Sequence, residues 1–323
     1  MNKRIGKSLE NIVLKNNGFI LGEDIAGEYG GAFKVTKDLS VKYEEQVLNM
    51  PISEAAIIGY AAGLSTSNLP VTAEIMFGDF LGLAADQIIN HVAKFGVMHS
   101  TFTPKLIIRT PIGGGRGYGP THSQNLEKIF GGLPGIKLYH LSFLHNVQLA
   151  FEGAAIQSGC TIISEPKLQY GLSFANLPDD FESLFKISSV LQNKEQEILF
   201  ISSDVMPSEL SIICTGIALP HVLKAAKRLL LEFEVPVDII CPRTVYPLVG
   251  QTIINDLVKP QCIIVDEAHD GYGFSDYIVS RMHRKTNCKI VGLQYPFYPS
   301  ATQLEDQMLI SDELIIKQIR EIL

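Results

Sequence analysis

The second half of this chain alternates short, continuously apolar runs with stretches of helical spacing, and few folds accept that pattern. Ser211-Ile212-Ile213-Cys214-Thr215 is one such run, ending at Gly216. Residues 221–233 follow with Val222, Ala225, Ala226, Leu229 and Leu230 on one helical side. Val235-Pro236-Val237-Asp238-Ile239-Ile240-Cys241 is the next run, then a helical stretch over 251–258. The strand Cys262-Ile263-Ile264-Val265-Asp266, a helix over 275–285 and the strand Lys289-Ile290-Val291-Gly292-Leu293 complete the series. A strand apolar on both sides must be covered on both faces, and helical crossovers make its neighbours parallel. The first half predicts the same elements: strands over 19–22, 70–75, 105–109 and 161–164, a long apolar helix over 53–65, and an amphipathic helix over 85–95. The fold class is therefore α/β, with mainly parallel sheets flanked by helices.

A length of 323 residues suits two domains. The polar stretch Gln192-Asn193-Lys194-Glu195-Gln196-Glu197, and Ser202-Ser203-Asp204-Val205-Met206-Pro207-Ser208 after it, predict a linker or exposed loop. The expected division is a first domain over 1–190, a linker over 191–209 and a second domain over 210–323. A formal net charge of -7 without a dense basic run argues against nucleic acid as a partner. The five cysteines (160, 214, 241, 262 and 288) are odd in number and include no C-x-x-C pair, which suggests neither a disulfide framework nor a zinc site. The basic N-terminus lacks a following apolar segment, and no run of about 18 apolar residues occurs. These features predict a soluble, cytoplasmic protein that does not engage a membrane.

Several segments carry possible chemistry. Gly113-Gly114-Gly115-Arg116-Gly117-Tyr118-Gly119 follows a strand but fits neither G-x-G-x-x-G nor a P-loop. It reads either as a flexible loop or as backbone that closes on a ligand at the carboxyl end of a sheet. His122 comes just after it, placed either as a surface histidine or as a solvent-reachable catalytic one. Glu54 opens the apolar stretch 55–62. It is either a first-turn acid favouring the helix dipole or a partly desolvated carboxyl able to hold a proton. Phe77 and Phe80 follow a strand, as core residues or as a platform for a planar ring. Asp266-Glu267-Ala268-His269-Asp270 invites a metal reading that no supporting cluster backs, and a solvated loop with a possible binding role is expected. No G-x-S-x-G elbow is present, which argues against an α/β-hydrolase.

In chain order the sequence presents Gly22-Glu23-Asp24-Ile25, Tyr29-Gly30-Gly31-Ala32-Phe33-Lys34-Val35-Thr36, Pro51-Ile52-Ser53-Glu54, Phe77-Gly78-Asp79-Phe80 with Asp86-Gln87-Ile88, His122-Ser123-Gln124 with Leu133-Pro134-Gly135-Ile136-Lys137, and Pro242-Arg243-Thr244 with Pro247-Leu248. This series resembles the beta subunit of the thiamine diphosphate-dependent 2-oxoacid dehydrogenase component, of pyruvate and branched-chain type, in the transketolase superfamily. The resemblance implies a pyrimidine-binding domain followed by a transketolase C-terminal domain. Glu54 then matches the carboxyl that hydrogen-bonds the cofactor's aminopyrimidine, and Phe80 the aromatic that stacks on it. Met76 matches a pocket-wall position, His122 the histidine beside the substrate or acyl acceptor, and Glu23 a position near the ring. Catalysis falls to Glu54 and His122, and cofactor binding to Glu54, Phe80, Met76 and Glu23.

The G-D-G and Asn-Asn motif that holds magnesium and the diphosphate in this family is absent, and no metal ligand is assigned to this chain. The resemblance implies that an alpha subunit holds that half, that a second beta chain joins the assembly, and that a lipoyl-bearing acyltransferase or a carrier protein accepts the acyl group. The expected reaction is 2-oxo acid decarboxylation with acyl transfer to a lipoyl arm. Two alternatives are a split transketolase-like acyl or ketol transferase and a non-catalytic scaffold for an alpha partner. The chain departs from the family where Gly271-Tyr272-Gly273-Phe274-Ser275 replaces Gly-Gly-Phe-Gly, and where Gln157 stands in the potassium-site loop, which often carries Asp.

Overall fold

The computed structural model describes residues 1–99, 104–193, 196–248, 250–269, 272–282, 286–293 and 297–323. The strands, in chain order, are β1 (Phe19–Glu23), β2 (Val47–Met50), β3 (Pro70–Glu74), β4 (Lys105–Ile112), β5 (Ile136–His140), β6 (Gly159–Pro166), β7 (Phe185–Asn193), β8 (Gln196–Ser203), β9 (Leu210–Cys214), β10 (Val237–Pro242), β11 (Thr244–Tyr246), β12 (Gln261–Val265) and β13 (Asn287–Val291). They form two sheets, in the orders β11-β5-β6-β4-β3-β1-β2 and β13-β12-β9-β10-β8-β7. Pairing in the first sheet is parallel except where β11 meets β5, and β8 runs antiparallel to both β10 and β7 in the second. The mixed, mostly parallel α/β architecture expected from the apolar runs is thus present.

Four departures from the expected elements are present. Residues 191–209, expected to link the domains, instead carry the end of β7 and all of β8, a hairpin whose inner strand pairs with β10 from Ile201 to Ile198. Its polar residues lie toward the turn of a sheet-edge hairpin; Lys194 and Glu195 fall outside the described residues. β11 lies in the second half of the sequence yet pairs with β5, so the first sheet borrows a strand from beyond the expected boundary. The helix predicted over 85–95 is wound as a π-helix at Gln87–Val92 and becomes α-helical at Ala93–Met98. The helix predicted over 275–285 is observed at Phe274–Val279, and its last residues, from His283, lie outside the described set.

An apolar cluster joins the two units, with Phe130 and Leu138 in the same packed core as Val245, Leu248 and Phe274. All five cysteines are free thiols; Cys262 and Cys288 are register partners across β12 and β13. Gln157 accepts a hydrogen bond from the Lys137 ammonium. No helix among the described residues is long and apolar enough to cross a membrane.

The interior of the first sheet is held by charge as well as by apolar contact. Arg109 on β4 is fully buried, donates to Glu165 on β6 (Nε to Oε1, 2.8 Å) and pairs with Glu74 on β3. Its second terminal nitrogen also reaches Glu165, whose Oε2 accepts from the Tyr170 hydroxyl at 2.7 Å. Burial pushes the Glu74 carboxyl up, with Arg109 opposing. Removing one partner of such a buried cluster strands the others without water. Arg109→Met should therefore cost about 3–5 kcal/mol of folding free energy, read by urea unfolding. A loss below about 1 kcal/mol would show that the cluster is not a structural tie.

Candidate functional site

The candidate residues all sit at the carboxyl ends of the parallel strands or at the helix start beside them. Glu23 closes β1, and Glu54 opens the helix Glu54–Ser65. That helix starts there because the Ser53 hydroxyl accepts from the Ala56 amide at 3.3 Å, a side-chain N-cap. Glu54, the first residue after the cap, is 8% exposed, and among the described residues its carboxyl has no hydrogen-bonding or ion-pair partner in this chain. Glu23 feels the Glu54 charge: burial first, then the Glu54 and Asp24 carboxylates, hold its pKa above the ordinary value. The helix is apolar all the way round, and Ala55, Ala56 and Tyr60 on it are exposed, with Ile52 and Leu83 alongside. A helix apolar on every side is normally covered on every side.

The second group forms beyond β3 and β4. Phe77 is nearly buried and is its hub, with ring centroids 5.5 Å from Phe80, 4.8 Å from His122 and 6.0 Å from Tyr118. The Phe80 ring lies 5.1 Å from His122. Asp79 clamps the two loops: its carboxylate accepts from the Gln124 amide at 3.2 Å and from its side chain at 2.9 Å. Gly78 is needed for this approach, because a Cβ there would stand 2.9 Å from Ile112 and 3.1 Å from the Gln124 carbonyl. Met76 is half-buried at the start of the same segment, and His122 is half-buried with Nδ1 2.9 Å from the Thr121 hydroxyl. The structure therefore brings Phe80 and His122 into contact, places Met76 in the same loop as Phe80, and groups Glu23 with Glu54.

Other functional groups were not singled out from sequence. Lys167, just past β6, is 1% exposed; its ammonium donates to the His122 carbonyl and lies 5.2 Å from the Phe77 ring centre. Burial lowers its pKa to about 8 despite the carboxylates of Asp79, Glu267 and Glu305. Its signal in the sequence was Glu165-Pro166-Lys167, charge set at the end of a buried strand.

The glycine-rich loop closes, but on the protein's own second unit. The Gly114 amide donates to Glu267 at 3.2 Å and the Gly117 amide to Glu305 at 2.6 Å. Tyr298 also donates to Glu267 at 3.0 Å. Burial lifts the Glu267 pKa to about 7. The segment at 266–269 is accordingly not a solvated loop: Asp266 is buried and accepts from Thr215 and the Ser275 amide, while Asp270 and Gly271 lie outside the described residues. Among the described residues no group of three or more His, Cys, Asp or Glu is placed to hold a metal. Two cavities, of about 830 and 350 Å³, lie elsewhere, and neither is lined by Glu23, Glu54, Met76, Phe80 or His122.

Comparison with known proteins adds a second line. The family described as "Transketolase, pyrimidine binding domain" matches residues 1–172, and "Transketolase, C-terminal domain" matches 204–315. The chain is 28% identical over 287 residues to the pyruvate dehydrogenase E1 component subunit beta of Acholeplasma laidlawii, covering 87% of this chain and 83% of that one. It is 26% identical to the 2-oxoisovalerate dehydrogenase subunit beta of Bacillus subtilis, covering 94% and 92%. It is 32% identical to the pyruvate dehydrogenase E1 component subunit beta of Gracilaria tenuistipitata var. liui, again covering 94% and 92%. A solved structure titled a split-gene transketolase, inactive beta4 tetramer, aligns with a TM-score of 0.74 at 16% identity over 99% of this chain and 96% of that one, and shows the fold.

Lys167 yields a test. With a folded-state pKa of about 8 against an ordinary 10.5, the unfolded chain binds the extra proton between those values. Stability must then rise with pH across that window, the cost of burying the charged ammonium being fully present below pH 8. Lys167→Met should remove this rise. Equal pH slopes for the two proteins, by urea unfolding from pH 7.5 to 10.5, would overturn the burial reading.

Proposed function

Since the chain belongs to the transketolase-like family of 2-oxoacid dehydrogenase E1 beta subunits, we propose that it supplies the aminopyrimidine half of a thiamine diphosphate site that an alpha subunit completes. The observation that carries this is Glu54: a carboxyl with 8% exposure, at a capped helix start, with no partner in this chain among the described residues. A buried carboxyl of that kind is costly unless something outside the chain pairs with it. The N1′ nitrogen of an aminopyrimidine is such a partner, and Glu54 would hold a proton there. Phe80 offers the ring face for stacking, Met76 the adjoining wall, and Glu23 a second carboxyl beside Glu54. His122, packed on Phe77 and Phe80 and braced by Lys167, would face the substrate or the acyl acceptor. When bound, thiamine diphosphate supplies the electron sink for decarboxylating a 2-oxo acid.

The alpha partner, holding magnesium and the diphosphate, is proposed on the exposed apolar face beside Glu54, formed by Ile52, Ala55, Ala56, Tyr60 and Leu83. An obligate interface is large and apolar, and this face has that character. The proposed assembly has two alpha and two beta chains, and the proposed acyl acceptor is a lipoyl arm of an acyltransferase.

Two measurements test the proposal. In the complex reconstituted with its alpha partner, Glu54→Gln should slow C2 hydrogen–deuterium exchange of thiamine diphosphate, and 2-oxo acid turnover, by ~10²–10⁴-fold. Its melting temperature should stay within a few degrees of the parent, because a first-turn Glu contributes only about 0.3–1 kcal/mol through the helix dipole. Unchanged exchange would leave Glu54 a simple helix-start acid. The beta chain alone should show neither turnover nor magnesium-dependent cofactor binding; tight binding by the isolated chain would sink the half-site reading.

A further inference from the structure

β12 and β13 set two cysteines side by side. Cys262 and Cys288 are register partners on these parallel strands, so their side chains leave the same face of the sheet. Lateral neighbours in a sheet stand about 4.8 Å apart, within the ~4.4–6.8 Å between Cα atoms that a disulfide spans. Both are free thiols, in hydrogen-bonding contact with each other. Their surroundings differ. Cys262 is fully buried in the apolar core with Ile254, Phe274 and Ile278. Cys288 packs on the rim of that core and is half-buried. It lies on the edge strand of its sheet, where a small solute reaches it.

The contact also divides the two thiols by acidity. The hydrogen bond with Cys262 holds the Cys288 thiol below its ordinary pKa, with burial opposing. The same contact, then burial, pushes Cys262 up. Cys288 is thus the reachable member that forms a thiolate, and Cys262 the protonated one behind it. The other cysteines supply the contrast. Cys214 on β9 and Cys241 on β10 are also in thiol contact, but both are fully buried, and burial pushes Cys241 well up. Cys160 is buried, and its thiol is pushed up for that reason alone.

We propose that Cys288 and Cys262 form a reversible redox site that reduces a small hydroperoxide and closes into a disulfide between β12 and β13. The Cys288 thiolate attacks the peroxide, so that an S–O bond forms and the O–O bond breaks. The oxygen that leaves takes up the proton Cys288 released and departs as water or alcohol, and Cys288 becomes a sulfenic acid. The Cys262 sulfur then attacks that sulfur: the S–S bond forms, the S–O bond breaks, and hydroxide leaves as water with the Cys262 proton. Two electrons pass from the two thiols to the peroxide. A dithiol reductant restores both thiols by exchange. The bond ties an edge strand, held by one neighbour only, to the strand that leads to Glu267 and so to the glycine-rich loop. This inference stands apart from the thiamine diphosphate reading and shares no residue with it.

The test treats the folded full chain with millimolar hydrogen peroxide at neutral pH, then unfolds it in an alkylating agent and reads mass and cross-linked peptides. The parent should alkylate at three of its five cysteines instead of all five, with one intramolecular bridge joining Cys262 to Cys288. Dithiothreitol should restore five, and the bridged chain should unfold at higher urea than the reduced one. Cys262→Ala, which removes the resolving thiol, should leave Cys288 as a sulfenic acid that dimedone traps. Cys288→Ser should show neither bridge nor adduct, and peroxide should not move its urea midpoint. Five alkylated cysteines in the treated parent, a bridge at Cys214 and Cys241 or between two chains, or dimedone labelling of Cys262 in the Cys288→Ser variant would each overturn the proposal.

Discussion

The Arg109 cluster sets the geometry on which the proposed site rests. Arg109, Glu74 and Glu165 lie on β4, β3 and β6, adjacent strands of one sheet, and Glu74 and Arg109 are direct register partners. A buried ion cluster tolerates little displacement, because each ion lost to its partners stays buried and unpaired. The same strands run on, within a few residues, into the parts that carry chemistry. β3 leads to the Phe77–Phe80 segment, β4 to the glycine-rich loop and His122, and β6 to Lys167. Locking the strand ends therefore locks the roots of all three, and the Phe77, His122 and Lys167 contacts above them follow from that base.

Above this base the second unit acts as a brace. The seven residues 113–119, five of them glycine, would cost much entropy to order by themselves. Carboxylates from two separate elements, Glu267 after β12 and Glu305 in the helix Thr302–Met308, take up amides of that loop. The loop's carboxyl end carries His122, which is thus positioned from beneath by Lys167, from the side by Asp79 through Gln124, and from the second unit through the loop.

What the sequence revealed and what it hid divide along physical lines. Buried parallel strands such as Leu210–Cys214 and Gln261–Val265 are legible because both faces are apolar, and each was expected within a residue of its observed place. The hairpin of β7 and β8 was not, since an edge strand with polar residues at 192–197 looks like a loop. β11 was hidden for another reason: a three-residue strand shows no periodicity, and its partner lies a hundred residues earlier in sequence. In the candidate site, Glu54 stood out because it opens the apolar stretch 55–62 and falls within the motif series that carries the family resemblance. From residue pattern alone Phe77 and Phe80 are equivalent aromatics, separated only by the resemblance that singles out Phe80, and the fold shows Phe77 as the hub and Phe80 as the more exposed ring. Lys167 and Glu305 owe their role to contacts with residues 45 and 188 positions away, which no local pattern encodes.

The helix Glu54–Ser65 has a consequence for how the protein must be made. Its apolar outer face, with Ala55, Ala56 and Tyr60 open and Ile52 and Leu83 beside it, is part of the folded chain rather than a defect of folding. Contiguous apolar surface of this kind drives association with whatever is at hand. Surplus copies would meet one another through it, in an order set by relative concentrations. Under the proposed assembly with an alpha chain, synthesis of this chain is bound to a ratio, and a surplus over that ratio carries a physical penalty.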